Sequence, residues 1–277
     1  MKMNANIINN YSRLKLSLFF LPLFSLIAIV LFLYSKGALC ADKYIEIQKD
    51  CFFYINSHLG QYPHLEYNLT QFGDALVSLS FLSLFVVYAP KIWEALLSTL
   101  LVSLVLCCPF KSMFAVPRPA AIFDNNTFYI VGRAVCGHNS CPSGHTITIF
   151  AILTVLMFGF MPKETKSKIL WIFSIMNLGY FLAFTRVAVG AHYPLDIIIG
   201  SVIGYLSGLL GIFITRKYKI LAWISVKKYY PILILLFVFG CVLLVNRIIN
   251  DNLIIFYFAF ISLAFSLYKI ITLYVKK

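Results

Sequence analysis

Apolar runs of about 20 residues recur from one end of this chain to the other, the length a helix needs to cross the hydrocarbon core of a bilayer. They are read near 16–35, 74–90, 92–110, 145–161, 169–188, 195–215, 231–249 and 253–273. The runs are continuous and lack the period-two alternation of a membrane β-barrel, and lipid tolerates only segments whose backbone hydrogen bonds close internally. An all-α, polytopic membrane helical bundle is therefore expected. Composition bears on the point once: 61% of the 277 residues are hydrophobic and only 12% are charged, too apolar for a soluble domain.

The formal net charge of +13 raises the question of a nucleic-acid partner, and its distribution argues against one. Basic residues fall in alternate loops, as the positive-inside rule predicts. Lys2, Arg13, Lys15, Lys91, Lys163, Lys166, Lys168, the Arg216–Lys228 loop and Lys276–Lys277 share one side, while Asp42, Glu46, Asp50, Glu66 and Asp124 lie on the other. This predicts both termini on the cytoplasmic side. Ala38-Leu39-Cys40 before Ala41 resembles a signal-peptidase site, but the apolar stretch from Ser17 to Leu33 is long for a signal peptide, and a retained anchor is expected. Either choice leaves the later spans facing the same way. In the outer loop 42–73, Tyr44, Ile47, Cys51, Phe52 and Ile55 recur at helical spacing opposite Glu46, Lys49 and Asp50. They predict a short amphipathic helix on the outer leaflet, either beside the site entrance or as an interfacial strut.

In this topology Lys111, Arg118, His145, Arg186, His192 and Asp196 all meet at the outer face, where cations and histidines at the edges of apolar stretches suit an anion. Lys111 supplies a flexible point charge, whereas Arg118 and Arg186 supply planar forks that match phosphate oxygens in pairs. Pro117 and Pro119 stiffen the backbone on either side of Arg118. In Pro142-Ser143-Gly144-His145, Ser143 can cap the fourth span and Gly144 lets backbone N–H groups approach a ligand, while His145 is placed to give a proton to a leaving oxygen. Asp196, four residues after His192, can accept the Nδ1 proton and so present Nε2 as a nucleophile. Each element has a plainer reading: a lone membrane-edge Lys is usually a snorkelling anchor, and a lone His at a helix start is usually solvated. Their ordered combination on one face favours the chemical reading.

Taken together, Lys111 with Arg118-Pro119, then Pro142-Ser143-Gly144-His145, then Thr185-Arg186 with His192 and Asp196, resembles the three-part signature of the type 2 phosphatidic acid phosphatase (PAP2) superfamily. Thr185 stands where that signature usually has Ser, and a hydroxyl remains. The resemblance implies a six-helix core shared with vanadium haloperoxidases and a phosphatase acting through a phosphohistidine, without metal or other cofactor. Carried over by position, His192 is the nucleophile, Asp196 its orienting partner and His145 the general acid. Lys111, Arg118, Ser143, Gly144 and Arg186 bind the phosphate.

The expected organisation is then a six-span core over 1–215, with outer loop 36–73, followed by a basic cytoplasmic loop and two additional spans over 216–277. The expected substrate is a phosphate monoester or pyrophosphate on a membrane lipid, with lipid A and undecaprenyl pyrophosphate among the candidates, and no obligate protein partner is readable. Two alternatives stay open: a lipid phosphotransferase using the same phosphohistidine, and a non-catalytic anion carrier on the same scaffold, against which the complete His192, Asp196 and His145 set argues. Cys136 and Cys141 enclose a short loop directly before Pro142, and a disulfide between them is expected at the site rim.

Overall fold

The computed structural model describes residues 2–276, all of whose regular elements are helices, so Lys277 of the basic C-terminus lies outside the described residues. In chain order the α-helices are α1 (Lys2–Ser12), α2 (Phe20–Ser35), α3 (Ala41–Glu46), α4 (Lys49–Leu59), α5 (Pro63–Thr70), α6 (Ala75–Leu82), α7 (Phe85–Tyr88), α8 (Pro90–Phe114), α9 (Pro119–Ile122), α10 (Gly144–Gly159), α11 (Thr165–Ala188), α12 (Pro194–Lys217), α13 (Tyr230–Asp251) and α14 (Ile254–Val275). Six of the eight expected crossings form helices long and apolar enough to cross a membrane, the first of them as a 3-10 turn from Leu16 continued by α2, and 145–161 forms the shorter, 16-residue α10. The stretch 74–90 breaks into α6 and α7.

Serines explain why that break is tolerated. An irregular backbone at membrane depth must find its hydrogen bonds inside the protein. The Ser83 hydroxyl donates to the Ser80 carbonyl (2.7 Å) and meets the Ser266 hydroxyl of α14 (2.6 Å), and Ser262 Oγ donates to the same Ser80 carbonyl (2.9 Å). The broken stretch is thus stitched to the last helix. At its start, Asp74 Oδ1 accepts from the Leu76 and Val77 amides (2.9 and 3.2 Å), and Oδ2 pairs with Arg247 of α13 at 2.9 Å.

α12 forms the centre of the bundle, packed on α8 and α10. Of its most apolar stretch 67% is buried, against 11% for the first crossing, which presents nearly all of its surface outward. Small residues permit that closeness: a Cβ at Gly204 would stand 2.5 Å from the Ile147 carbonyl oxygen, and one at Gly208 2.5 Å from the Thr154 Cβ. α8 and α11 run toward one end of the bundle, and α10 and α12 run away from it. That end therefore gathers the C-termini of one pair and the N-termini of the other. At the opposite end α1 closes the bundle, with Asn10 Nδ2 donating to the Gly159 and Met161 carbonyls (3.0 and 3.2 Å) and the Tyr11 hydroxyl to the Val155 carbonyl (3.0 Å).

The amphipathic helix expected over the outer loop becomes α3 and α4, and both are docked on protein. Tyr44 and Phe52 are buried, while Ile47 and Cys51 of the same expected apolar face are exposed. The reason is polar: Gln48 and Asn56 are buried too, and each reaches a partner on the core. Gln48 Oε1 accepts from the Leu195 amide at 2.9 Å, and Asn56 Nδ2 donates to the carbonyls of Tyr129, Val187 and Ala188 (2.9, 3.1 and 3.0 Å). A membrane interface cannot supply such fixed partners.

Candidate active site

Each functional side chain is delivered by a helix end. α8 stops where Ala115 takes a left-handed conformation (φ 43°) and its N–H closes on the Lys111 carbonyl at 3.1 Å, leaving Lys111 in the last turn. The chain then turns through Pro117, and the Arg118 amide donates to the Gly137 carbonyl (2.8 Å) before Pro119 opens α9. α10 starts on Ser143, whose Oγ accepts from the Thr146 amide (3.4 Å) and the Thr146 hydroxyl (3.0 Å), the cap expected for this residue. Pro194 occupies the first turn of α12, so His192 stands just outside the helix and Asp196 just inside it.

The structure brings the expected residues together. His192 is 1% exposed and Asp196 fully buried. The His192 Nδ1 lies 3.3 Å from Asp196 Oδ2, and its Nε2 lies 3.3 Å from an Arg118 guanidinium nitrogen. Arginine can only donate, so Nε2 is the accepting nitrogen and the ring proton sits on Nδ1, directed at the carboxylate. Burial first, and then the Arg118, Arg186 and Lys111 cations, hold this imidazole well below its usual range, so it is neutral near pH 7. Arg118 is fixed at two further points, by Asn139 Oδ1 (2.8 Å) and the Ala191 carbonyl (3.1 Å). Arg186 donates to the Thr70 hydroxyl (3.0 Å), and its buried Nε has no partner among the described residues.

Lys111 and Gly144 meet at the mouth: the Lys111 Nζ is 3.8 Å from where a Cβ on Gly144 would stand. His145 lies under the turn Gln71–Gly73, which approaches so closely that a Cβ at Gly73 would fall 2.5 Å from the His145 Cβ. The Ser143 amide donates to the Asp196 carbonyl (3.2 Å), tying the start of α10 to the start of α12. Two cations with planar forks, a neutral imidazole presenting a lone pair and a second imidazole across the opening can hold a tetrahedral oxyanion and exchange a proton with it.

The rim disulfide is not formed: Cys136 and Cys141 are both free thiols. Cys136 is exposed with its sulfur toward the Ala120 carbonyl (3.8 Å), whereas Cys141 is buried against Tyr44 and Asp196, where burial pushes its thiol well above the usual value. One sulfur faces out and the other in.

Several contributors, Asn139 on Arg118 among them, were not expected. Asp196 Oδ2 accepts from the Ser140 hydroxyl (2.6 Å) and the Tyr193 amide (2.9 Å), and Oδ1 accepts from the Tyr44 hydroxyl (2.8 Å). Thr70, the partner of Arg186, comes from α5. Ser140 lies close enough to the Pro142-Ser143-Gly144-His145 turn to have been suspected, but nothing in the residues around Tyr44 or Thr70 marks them.

Comparison with known proteins bears on the same segment. Residues 92–220 match the family model described as PAP2 superfamily. Over 71 residues the chain is 37% identical to the bacitracin transport permease protein BcrC of Bacillus licheniformis, an alignment that covers 26% of this chain and 31% of that one. The chain thus spans about a third of the length of this curated relative. The crystal structure of Aquifex aeolicus LpxE superposes with a TM-score of 0.50 at 23% identity, over 62% of this chain and 96% of that one, a likeness of fold.

Proposed function

Because residues 92–220 of this chain carry a PAP2 superfamily unit, we propose that the protein is a lipid phosphatase working at the outer, periplasmic face of a bacterial inner membrane. The observation that carries the reading is His192 held between Asp196 at Nδ1 and Arg118 at Nε2. A transporter needs charge but not an imidazole whose tautomer is set and whose lone pair points at the anion's own counter-cation.

The reaction is two in-line displacements. His192 Nε2 attacks phosphorus while His145 gives a proton to the departing lipid oxygen, leaving a phosphohistidine and a lipid alcohol or lipid phosphate. Water then attacks the same phosphorus, giving its proton to His145, and free phosphate leaves as the His192 lone pair returns. Asp196 keeps Nδ1 protonated and balances the charge that develops on the ring. Arg118, Arg186, Lys111 and the amides at the start of α10 hold the equatorial oxygens through both steps. The unpartnered Arg186 Nε gains an acceptor when phosphate is bound.

Support for a lipid comes from a cleft of about 630 Å³ that ends at Gly144 and His145 and runs between α8 and α6 past Leu97, Leu100, Leu101 and Leu104. A hydrocarbon chain lying there places its leaving oxygen next to the proposed acid. The test is phosphate release by the purified protein from lipid A, undecaprenyl pyrophosphate, phosphatidylglycerol phosphate and phosphatidic acid, with EDTA present. Release from at least one lipid is expected, with loss in His192→Ala of about 10³-fold or more; normal turnover by that variant overturns the mechanism.

A further inference from the structure

Next to the reaction site lies a second, polar cavity of about 350 Å³, lined by Tyr67, Arg133, Arg186, Asn250, Arg247 and Asp251 among others. Its walls are the loop around 130–135, the turn Val189–Ala191 immediately before His192, and the last turns of α13. Two glycines let these walls approach. A Cβ on Gly132 (φ +79°) would stand 2.8 Å from the Tyr67 ring, and one on Gly190 (φ +75°) 2.5 Å from the Tyr129 carbonyl oxygen. The Val131 amide donates to the Val189 carbonyl (3.2 Å), locking the loop to the turn that carries the nucleophile.

The cavity holds two arginines that the two displacements do not use, Arg133 and Arg247. Tyr67 lies within electrostatic reach of Arg133, Arg186 and Arg247, and of a single carboxylate, Asp251. Arg247 already shares one nitrogen with Asp74, which leaves the rest of its fork for another acceptor. Arg133 is exposed and makes no side-chain hydrogen bond among the described residues. The buried, unpartnered Arg186 Nε belongs to a side chain that lines this cavity as well as contacting the reaction site. With Arg186 set aside for the phosphate being cleaved, Arg133 and Arg247 are matched in number by Asp251 and Asp74, so what the cavity adds is free guanidinium nitrogens, whose forks suit phosphoryl oxygens.

We infer that this cavity is a subsite for a second phosphoryl group on the lipid head group, held by Arg133 and Arg247 while the phosphate being cleaved sits on Arg118 and His192, with Arg186 between the two. The inference rests on the phosphatase reading and narrows it to lipids whose head group bears two phosphates. It also gives the C-terminal pair of helices a part in recognition, since Arg247 and Asn250 come from α13.

The experiment uses the full-length protein in detergent with lipid A carrying both phosphates and with its two monophosphoryl counterparts. Arg133→Gln is expected to raise KM for the two-phosphate lipid roughly tenfold, the worth of one charge-assisted hydrogen bond. Its kcat on all three lipids, and its KM for the monophosphoryl lipids, should stay within about twofold, as expected of an exposed substitution that leaves the fold intact. Equal losses on every lipid, or no loss on any, overturn the subsite. The phosphatase reading fails separately, if the wild-type protein releases phosphate from none of them. Retention of the lipids by His192→Ala then decides the subsite by itself: preference for the two-phosphate lipid that disappears in His192→Ala/Arg133→Gln supports it, and retention without preference overturns it.

Discussion

Asp196 accepts three hydrogen bonds besides the one from His192, from Ser140, Tyr44 and the Tyr193 amide. A carboxylate held at that many points cannot rotate away from the imidazole, so its geometry is set before substrate arrives. Tyr44→Phe removes one donor and keeps the ring; kcat/KM for phosphate release should fall about tenfold, with most of the change in kcat, because the loss is one hydrogen bond to a charged group. An unchanged kcat would show that Tyr44 only fills space. The acid limb of the pH profile tests the imidazole. The proposed attack needs His192 neutral, and burial with its three cationic neighbours holds its pKa below the usual value of about 6.5. As pH falls through 6.5 the folded protein should therefore keep its kcat/KM, losing it only at lower pH; a limb at or above 6.5 would contradict the geometry. Lys111, Arg118, His145, Arg186, His192 and Asp196 were legible because their spacing is local to helix ends. Tyr44 and Thr70 were not, because each reaches the site only through the docking of a distant helix, and a tyrosine on an amphipathic pattern reads the same whether it meets lipid or a carboxylate.

Helices show a similar division. Hydropathy located α2 with the 3-10 turn that precedes it, α8, α11, α12, α13 and α14, each long enough for the bilayer. It read 74–90 as a crossing as well, since an apolar run looks continuous whether or not its backbone does. What makes the break tolerable, a set of serine hydroxyls shared with α14, depends on a partner helix that enters much later in the chain. The contact between α10 and α12 makes a prediction at this scale. Gly204→Ala places a methyl group 2.5 Å from the Ile147 carbonyl oxygen, a backbone atom that cannot step aside without moving the helix. Overpacking of this kind costs about 1–3 kcal/mol, so the melting temperature in detergent should fall. Because both helix starts carry reaction-site residues, activity should fall with it at temperatures below the melt. Gly37, with φ +64° and nothing near its missing Cβ, lies outside this contact.

For the molecule as a whole, the asymmetry of charge between loops is the source of the proposed orientation, and Cys136 offers a direct check because it is exposed at the reaction-site end. A variant keeping Cys136 alone should react with a membrane-impermeant maleimide in cells whose outer membrane has been permeabilised; labelling only after the inner membrane is opened would reverse the orientation. The division of the chain after residue 215 follows the motifs, the last of which, Asp196, lies in the first turn of α12. Asp74 speaks to that division. One of its oxygens starts α6 beside the turn that lies on His145, and the other is held by Arg247 of α13. A hairpin added to a finished core would be interchangeable with any other greasy pair. Here a transplanted pair would have to bring an arginine at the same height or leave Asp74 half unpaired next to the proposed acid, so the two segments are constrained to diverge together, and a chimera that ignores the joint should pay in turnover before it loses its fold.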